Sequence, residues 1–223
     1  QRLFVRYNRS CYFTGRMQSV AGWQIQIVRS RTCGLKDFYI ALVQSNTATA
    51  YTAGTPVKLA RAIKAKIDEK WTSEKIYSDD NTEEVITSYE GTDVELEINA
   101  LAPQDRVILF GQLYEKGFLR KSSDDRAPEV AVGWRERKLN GKYEFKWLYV
   151  GKFAEGISEE ASTKEGKLSP TTKSIKGSFY ERSIDNLYEV SVDESNLVAE
   201  DTDAATAIKD WFSKVQEAPD AAA

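Results

Sequence analysis

The sequence predicts a mainly-β domain with two helices, and three observations support this class. Hydrophobic and polar residues alternate from Val94 to Ala100, the two-residue period of a strand with one buried face. Asn140-Gly141, the strongest short hairpin signal in the chain, lies between two apolar-rich runs. A further alternating run extends from Ile175 to Glu181. No strand–helix–strand alternation accompanies these runs, so a doubly wound α/β fold is not expected.

The remaining strands follow from the same patterns. The run Val57–Trp71 fits a strand, but Leu59, Ile63, Ile67 and Trp71 also fit a helical stripe. The alternating run Val94–Ala100 that follows favours the strand, so the two runs are expected to form a long hairpin. The polar stretch Thr72–Glu84 is expected to be the loop of that hairpin. The runs expected to form strands are, in chain order, Phe38–Val43, Val57–Trp71, Val85–Ala100, Val130–Arg137, Lys142–Phe153, Ile175–Glu181 and Leu187–Val192. Ser45–Gly54 is expected to be a turn region and Glu155–Pro170 a long polar loop.

Two helices are expected. Pro103 suits a first helical position, and the apolar stripe Val107, Phe110, Leu113 and Tyr114 predicts a central helix that ends at Gly117. A second stripe, Ala204, Ile208, Trp211, Phe212 and Val215, predicts a C-terminal helix docked on the sheet or on an adjacent subunit, with Asp201, Thr202 and Asp203 available as caps.

One strand carries an aromatic face. Tyr143, Phe145, Trp147 and Tyr149 alternate and are expected to be core, packed against the Val107–Tyr114 helix together with Phe110. The alternative is a base-stacking platform of the kind found on nucleic-acid-binding sheets. The acidic excess of the chain after residue 33 disfavours that alternative, because tight binding to nucleic acid depends on cationic groups.

Charge and composition divide the 223 residues unevenly. Residues 1–33 hold six arginines and no Lys, Asp or Glu, although the whole chain has a net charge of −3. The domains expected are an arginine-rich arm over 1–33, a main domain over 34–218 and a frayed tail over 219–223. The arm either binds phosphate backbones or is an extension outside the main domain. Cys11 and Cys33 could pair, but two thiols do not establish a disulfide.

The sequence offers no catalytic or cofactor motif. Histidine is absent, which removes Ser-His-Asp and Cys-His catalysis. No glycine-rich phosphate loop and no nucleophile-elbow motif occurs. Asp79, Asn81, Glu83 and Glu90 fall at calcium-loop positions, but Glu84 stands where the sharp turn requires Gly. The chain is therefore expected not to be an enzyme, to need no cofactor or metal and, since its apolar runs are short, to have no membrane span.

Four strings resemble one known family. They are Gly34-Leu35-Lys36-Asp37-Phe38-Tyr39, Ile76-Tyr77-Ser78-Asp79-Asp80-Asn81, Glu97-Ile98-Asn99-Ala100-Leu101 and Ile175-Lys176-Gly177-Ser178-Phe179-Tyr180-Glu181-Arg182. In this order they resemble the major tail tube proteins of long-tailed bacteriophages and prophages, from about Gly34 to Ala218. Residues 1–33 depart from the family pattern.

The resemblance implies a β-sandwich or barrel with a packed central helix and a C-terminal helix. It also implies hexameric rings that stack into a hollow tube through which DNA passes without specific binding. The partners implied are other copies of the chain, a tape measure protein and the tail terminator and baseplate proteins. The location implied is the virion tail, with assembly in the host cytoplasm. A tube component of a bacterial contractile or secretion-type injection system is the alternative, because it would share the fold.

Two surfaces are candidates for that function. Carboxylates repel a polyanion, so Asp93, Glu95 and Glu97 on the polar face of a strand are expected to face the lumen; the alternative is a strand that simply faces solvent. The stretch Trp71–Glu84 carries apolar side chains among charges, so it is expected to contact a neighbouring ring. Its candidate residues are Trp71, Ile76, Tyr77, Asp79 and Asp80. The core and docking residues expected are Phe110, Tyr143, Phe145, Trp147, Trp211 and Phe212.

Overall fold

A computed structural model describes residues 27–59, 62–78, 81–159 and 172–219. Within these residues the chain is mainly β, with a ten-stranded antiparallel sheet, a separate two-stranded hairpin and two short helices. The sheet strands are β1 (Thr32–Asn46), β2 (Tyr51–Ala53), β3 (Val57–Lys58), β4 (Ala62–Ser78), β5 (Asn81–Ile98), β8 (Val130–Lys138), β9 (Tyr143–Lys152), β10 (Ile157–Glu159), β11 (Lys173–Tyr180) and β12 (Glu189–Asp193). The hairpin is β6 (Leu113–Glu115) and β7 (Phe118–Arg120), and the helices are α1 (Pro103–Phe110) and α2 (Thr202–Ala207).

The predicted mainly-β class is confirmed, and each predicted strand run overlaps a strand. The run Val57–Trp71 is not the single strand predicted, because Val57–Lys58 forms β3, which pairs with β1, and β4 begins at Ala62. The strand order across the sheet is β2-β1-β8-β9-β11-β5-β4. Three short strands lie off this order: β3 pairs with β1, β10 with β11 and β12 with β9. β2 forms inside the predicted Ser45–Gly54 turn region and β10 inside the predicted Glu155–Pro170 loop, so both predictions of irregular structure were partly wrong.

The sheet is curled around an inner core. Phe38 of β1 and Leu96 of β5 lie near opposite ends of the strand order, yet both belong to one buried cluster. α1 contributes Leu109 and Phe110 to the same cluster. The inner core is Phe38, Ile40, Leu59, Val94, Leu96, Ile98, Leu101, Leu109, Phe110, Val130, Val132, Trp134, Leu148, Phe153, Ile175 and Phe179. Phe110 is therefore buried, as predicted.

A second cluster, the outer core, covers the opposite face of β1, β8 and β9. Its buried members are Ala41, Tyr51, Ala131, Phe145, Trp147, Tyr149, Val150, Trp211 and Val215, and Tyr143 and Phe212 pack against them. The aromatic face of β9 was expected to pack against the central helix, and that prediction was wrong. α1 packs in the inner core together with Leu148, whose side chain points to the opposite face of β9. The C-terminal segment covers the aromatic face instead.

α1 is shorter than the apolar stripe predicted. It ends at Phe110 because Gly111 adopts a left-handed conformation with φ of 68°, and its N–H donates to the Val107 carbonyl at 3.0 Å. Leu113 and Tyr114 belong to β6, and Gly117 lies in the two-residue turn that joins β6 to β7. Lys116 and Gly117 both have positive φ, as a tight hairpin turn of this kind requires.

The C-terminal helix is also shorter than predicted. α2 ends at Ala207, a 3₁₀ turn spans Ile208–Asp210, and the chain then turns so that Trp211 and Val215 both reach the sheet. The Trp147 indole N–H donates to the Trp211 carbonyl at 3.1 Å, and Trp211 is 2% exposed. The predicted docking is confirmed, although a continuous helix does not provide it.

Replacing Trp211 with Ala should lower the free energy of unfolding by about 3–5 kcal/mol, because the ring is buried and its loss leaves a cavity over β9. Denaturant unfolding followed by circular dichroism measures the change. Phe118→Ala, at a side chain 71% exposed, is the control and should cost less than about 1 kcal/mol. Equal midpoints for the parent and Trp211→Ala would contradict the docking.

Candidate assembly surfaces

The long β4–β5 hairpin extends beyond the rest of the sheet. β5 pairs with β11 only from Thr92 to Ile98, whereas its pairing with β4 continues to Asn81. Trp71–Ser78 and Asn81–Glu90 together form a two-stranded extension, the ribbon. Among the described residues no third strand pairs with it. At about 3.3 Å per residue, Trp71–Ser78 extends about 26 Å.

The ribbon corrects the predicted loop. Thr72–Glu84 was expected to be irregular, but β4 continues through Ser78 and β5 begins at Asn81, with register pairs such as Thr72 with Ser88 and Ile76 with Glu84. Thr, Ile and Tyr favour extended backbone, and pairing between β4 and β5 satisfies the backbone groups that the two strands turn toward each other.

Apolar side chains on the ribbon are exposed on both faces. Val85 and Ile86 are adjacent in β5, so they point to opposite faces, and each is about half exposed. Trp71 is 53% exposed. Of the sequence candidates, Trp71 lies at the base rather than the tip, Ile76 and Tyr77 lie on β4 near the tip, and Asp79 and Asp80 lie outside the described residues.

Three aromatic rings meet where the ribbon leaves the sheet. The ring centroids of Tyr89 and Tyr188 are 4.2 Å apart and nearly parallel. Trp71 approaches Tyr89 edge-on at 5.3 Å and Tyr188 at 6.5 Å. Burial raises the pKa of both tyrosine hydroxyls, and the nearby carboxylates of Glu69 and Glu189 raise it further.

The three predicted lumen carboxylates do share one face. Asp93, Glu95 and Glu97 alternate along β5, with their backbones between β4 and β11. The Lys70 ammonium lies 2.5 Å from Asp93, and its hydrogen bond is the main reason that the pKa of Asp93 is below its usual value. The hydroxyls of Ser178 and Ser174 lie 3.1 Å from Asp93 and 3.3 Å from Glu95.

Lysines from the flanking strands balance this carboxylate row. Lys64 lies 3.8 Å from Glu97, and Lys66 of β4 and Lys176 of β11 are both in register with Glu95. The face is therefore a lattice of alternating charges and not the purely acidic strip that β5 alone suggests. That this face lines a lumen stays a prediction.

Buried charges elsewhere are paired and hold the fold. Arg182 is 4% exposed; its guanidinium donates to Asp185 at 2.7 Å and to Glu217 of the C-terminal segment at 3.2 Å. It also lies 4.3 Å from the centre of the Tyr149 ring. Burial raises the pKa of Tyr149 to about 12. This cluster ties the turn after β11 to the outer core.

Lys138 is a second buried charge. Its ammonium lies 2.5 Å from Asp193 of β12 and 3.0 Å from Glu144 of β9. Burial alone would raise the pKa of Asp193, but hydrogen bonds from Lys138 and from the Ser195 N–H outweigh it, so that pKa lies below its usual value. The ion pairs hold β12 to the β8–β9 pair.

The sequence patterns did not predict the ring contacts of Tyr188 or the β6–β7 hairpin. Tyr188 lies far along the chain from Trp71 and Tyr89, so no local pattern reveals their contact. For the hairpin a signal existed, because Lys116-Gly117 between short apolar pairs fits a two-residue turn. Leu113 and Phe118 are exposed there.

No protein-family model matches the sequence, and no curated protein is similar to it. Across the described ranges, no three His, Cys, Asp or Glu side chains are grouped so that they could hold a metal ion. No helix within those ranges has the length and apolar character needed to cross a membrane.

Replacing Asp193 with Asn should lower the free energy of unfolding by about 1–3 kcal/mol near neutral pH, because Lys138 loses a charged partner. The folded-state pKa of Asp193 is lowered, so its stabilisation is complete above the unfolded-state pKa of about 3.9 and is lost as the pH falls through the folded-state pKa. Urea unfolding across a pH series should show the two proteins converging in acid. The exposed-loop variant Asp124→Asn should match the parent throughout, and a difference that did not depend on pH would argue against the ion pair.

Proposed function

We propose that this chain is a structural subunit that assembles with copies of itself into a tube, as the major tail tube proteins of long-tailed phages do. The observation that carries the proposal is the ribbon, a two-stranded extension with apolar side chains on both faces. The four sequence strings that resemble the family supply the stacked, hexameric form of the assembly and its place in a virion tail.

A second copy of the chain is the partner that the ribbon fits best. An isolated two-stranded hairpin is marginally stable in water, and both of its edges offer unpaired backbone groups. Exposed apolar residues in such a position mark an interaction surface. When rings of identical subunits meet, each ribbon contact is repeated around the ring, so a weak contact becomes a strong one.

The charge lattice on β4, β5 and β11 suits a wall past which DNA slides. Duplex DNA binds where lysines and arginines replace its counterions. Here Lys70 is already paired with Asp93, and Lys64 lies beside Glu97. Such lysines offer little to phosphate groups, and Asp93, Glu95 and Glu97 repel them. Tape measure, terminator and baseplate proteins are the further partners of this proposal.

Shortening the ribbon should abolish long tubes and leave the subunit folded. Thr72 and Ser88 are register partners, so replacing residues 73–87 with Asn-Gly closes a two-residue hairpin and retains the ring cluster at the base. Because the removed part has no third strand, the melting temperature should change by only a few degrees. Electron microscopy and circular dichroism of the parent and the shortened protein measure both effects.

The double variant Val85→Ser, Ile86→Ser is the matched test of the apolar side chains, since it preserves the length of the ribbon. It should also reduce tube formation. Full-length tubes from the shortened protein would contradict the proposal, and an unfolded shortened protein would show that the ribbon belongs to the core.

Reversing charge on the lattice should make assembled tubes retain DNA. Changing Glu95 and Glu97 to Lys leaves cations without partners beside Lys66 and Lys64, so duplex DNA should sediment with tubes at low salt and separate from them at high salt. Glu115→Lys, Glu200→Lys makes the same change in net charge elsewhere and should retain less DNA. Equal retention by both variants would contradict the lumen assignment, and failure to form tubes would point to an interface instead.

A further inference from the structure

The backbone alone does not fix the direction of the ribbon. β5 is irregular at the level where β11 stops pairing with it. The register passes from Lys70 with Gly91 to the next residue of β4, Trp71, with Tyr89, which leaves Glu90 of β5 out of the pairing as a bulge. Bulges bend and twist a strand pair, so the ribbon does not inherit the direction of the sheet.

Gly91 lies next to the unpaired Glu90 and has an unusual backbone conformation. Its φ is 142°, a conformation that side chains rarely adopt, and a Cβ there would lie 2.9 Å from the Phe179 carbonyl oxygen of β11. The close approach of two backbones ends the three-stranded region abruptly. Beyond it the ribbon is held by β4–β5 pairing and by the side chains at its base.

Tyr188 provides the contact between that base and the body. Its carbonyl accepts a hydrogen bond from the Tyr149 N–H at 3.0 Å, so its backbone is tied to β9, in the middle of the sheet. Its ring stacks on Tyr89 of one ribbon strand at 4.2 Å and meets the edge of Trp71 on the other at 6.5 Å. Tyr89 is itself fixed, because its hydroxyl lies 2.7 Å from the Thr92 hydroxyl.

We infer that Tyr188 is the positioning residue of the ribbon, and that its ring holds the ribbon at one angle to the body before any partner binds. One ring contacts both ribbon strands, so it restrains bending in the plane of the ribbon and out of it. A ribbon held in its binding orientation loses less conformational freedom on docking, which strengthens association. Only this consequence for assembly rests on the proposed function; the positioning itself is a property of the single chain.

The test measures the ribbon angle in dilute protein. In a Cys11→Ser, Cys33→Ser background, spin labels at Ser73→Cys on the ribbon and Arg137→Cys on β8 report one distance by pulsed electron paramagnetic resonance. The parent and Tyr188→Phe should give a single narrow distribution, since the ring is retained. Tyr188→Ala should give a broad one. Tyr114→Ala, which removes an exposed tyrosine of the β6–β7 hairpin, should stay narrow.

Hydrogen exchange gives a second readout that does not depend on labels. Two ring contacts are lost in Tyr188→Ala, so amides of residues 71–75 and 85–90 should exchange about 5- to 100-fold faster, whereas those of β8 and β9 should not change. Tyr89→Ala removes the same stack by changing the ribbon residue, and it replaces Tyr188→Ala as the test variant if Tyr188→Ala does not fold. The double variant should exchange faster than Tyr188→Ala, because it also loses the contact between Trp71 and Tyr89, but by less than the two single effects combined, because both changes remove the same stack.

A narrow distance distribution and unchanged ribbon exchange in Tyr188→Ala and Tyr89→Ala would overturn the inference, as would a broad distribution in the parent. If the parent forms no tubes, the proposed function fails while these measurements still decide the role of Tyr188. If the parent forms tubes, Tyr188→Ala should need a higher protein concentration to form them, and Tyr188→Phe should not.

Discussion

The β8–β9 pair is buried on both faces, and the rest of the domain is arranged to cover it. Trp134 and Leu148 point into the inner core, whereas Trp147 and Tyr149 point into the outer core. The Trp147 ring lies directly over Gly133, its register partner, where a Cβ would come within 2.5 Å of the ring. Replacing Gly133 would therefore displace the indole that anchors the C-terminal segment. Two covers are needed for two faces: the curled sheet with α1 on one side, and the segment from Ile208 to Val215 on the other.

This arrangement leaves the β4 side of the sheet free for other uses. β4 ends the strand order and pairs only with β5 among the described residues, and the outer cover, the segment from Ile208 to Val215, packs over the middle of the sheet on β1, β8 and β9. A rigid body buried on two sides can therefore support a ribbon that contributes little to the core. The proposed assembly surface lies at the edge of the sheet, where changes in it should have small effects on folding.

Sequence patterns predicted the parts of the fold that depend on neighbours in the chain. Apolar runs and alternation located the longer strands of the body but not the short strands β2 and β10, and Asn140-Gly141 located the β8–β9 turn. The end of α1 was predicted at Gly117, although the left-handed Gly111 that ends it is a local signal; the packing of Gly111 against the Arg126 carbonyl oxygen, which leaves no room for a Cβ, depends on a more distant residue. Two-residue periodicity gives β9 two faces but does not say which cover meets which face. Likewise, the carboxylates of β5 could be predicted, but their lysine partners depend on the register with β4 and β11.

The ribbon was predicted as a loop for a physical reason. Apolar and polar residues alternate in a sequence when a strand has one buried face. The ribbon side chains that the structure describes form no buried face, so no alternation is expected there. Its cross-strand pairs contribute only about 0.2–1 kcal/mol each, so pairing alone leaves it marginal. Further stability must come from two sources. One is the ring cluster of Trp71, Tyr89 and Tyr188 at the base, and the other, under the proposed function, is another copy of the chain that contacts the ribbon along its length. Under the proposed function the apolar residues of the ribbon contact a partner; Val85 and Ile86 are exposed on opposite faces and form no pattern that a local reading of the sequence detects.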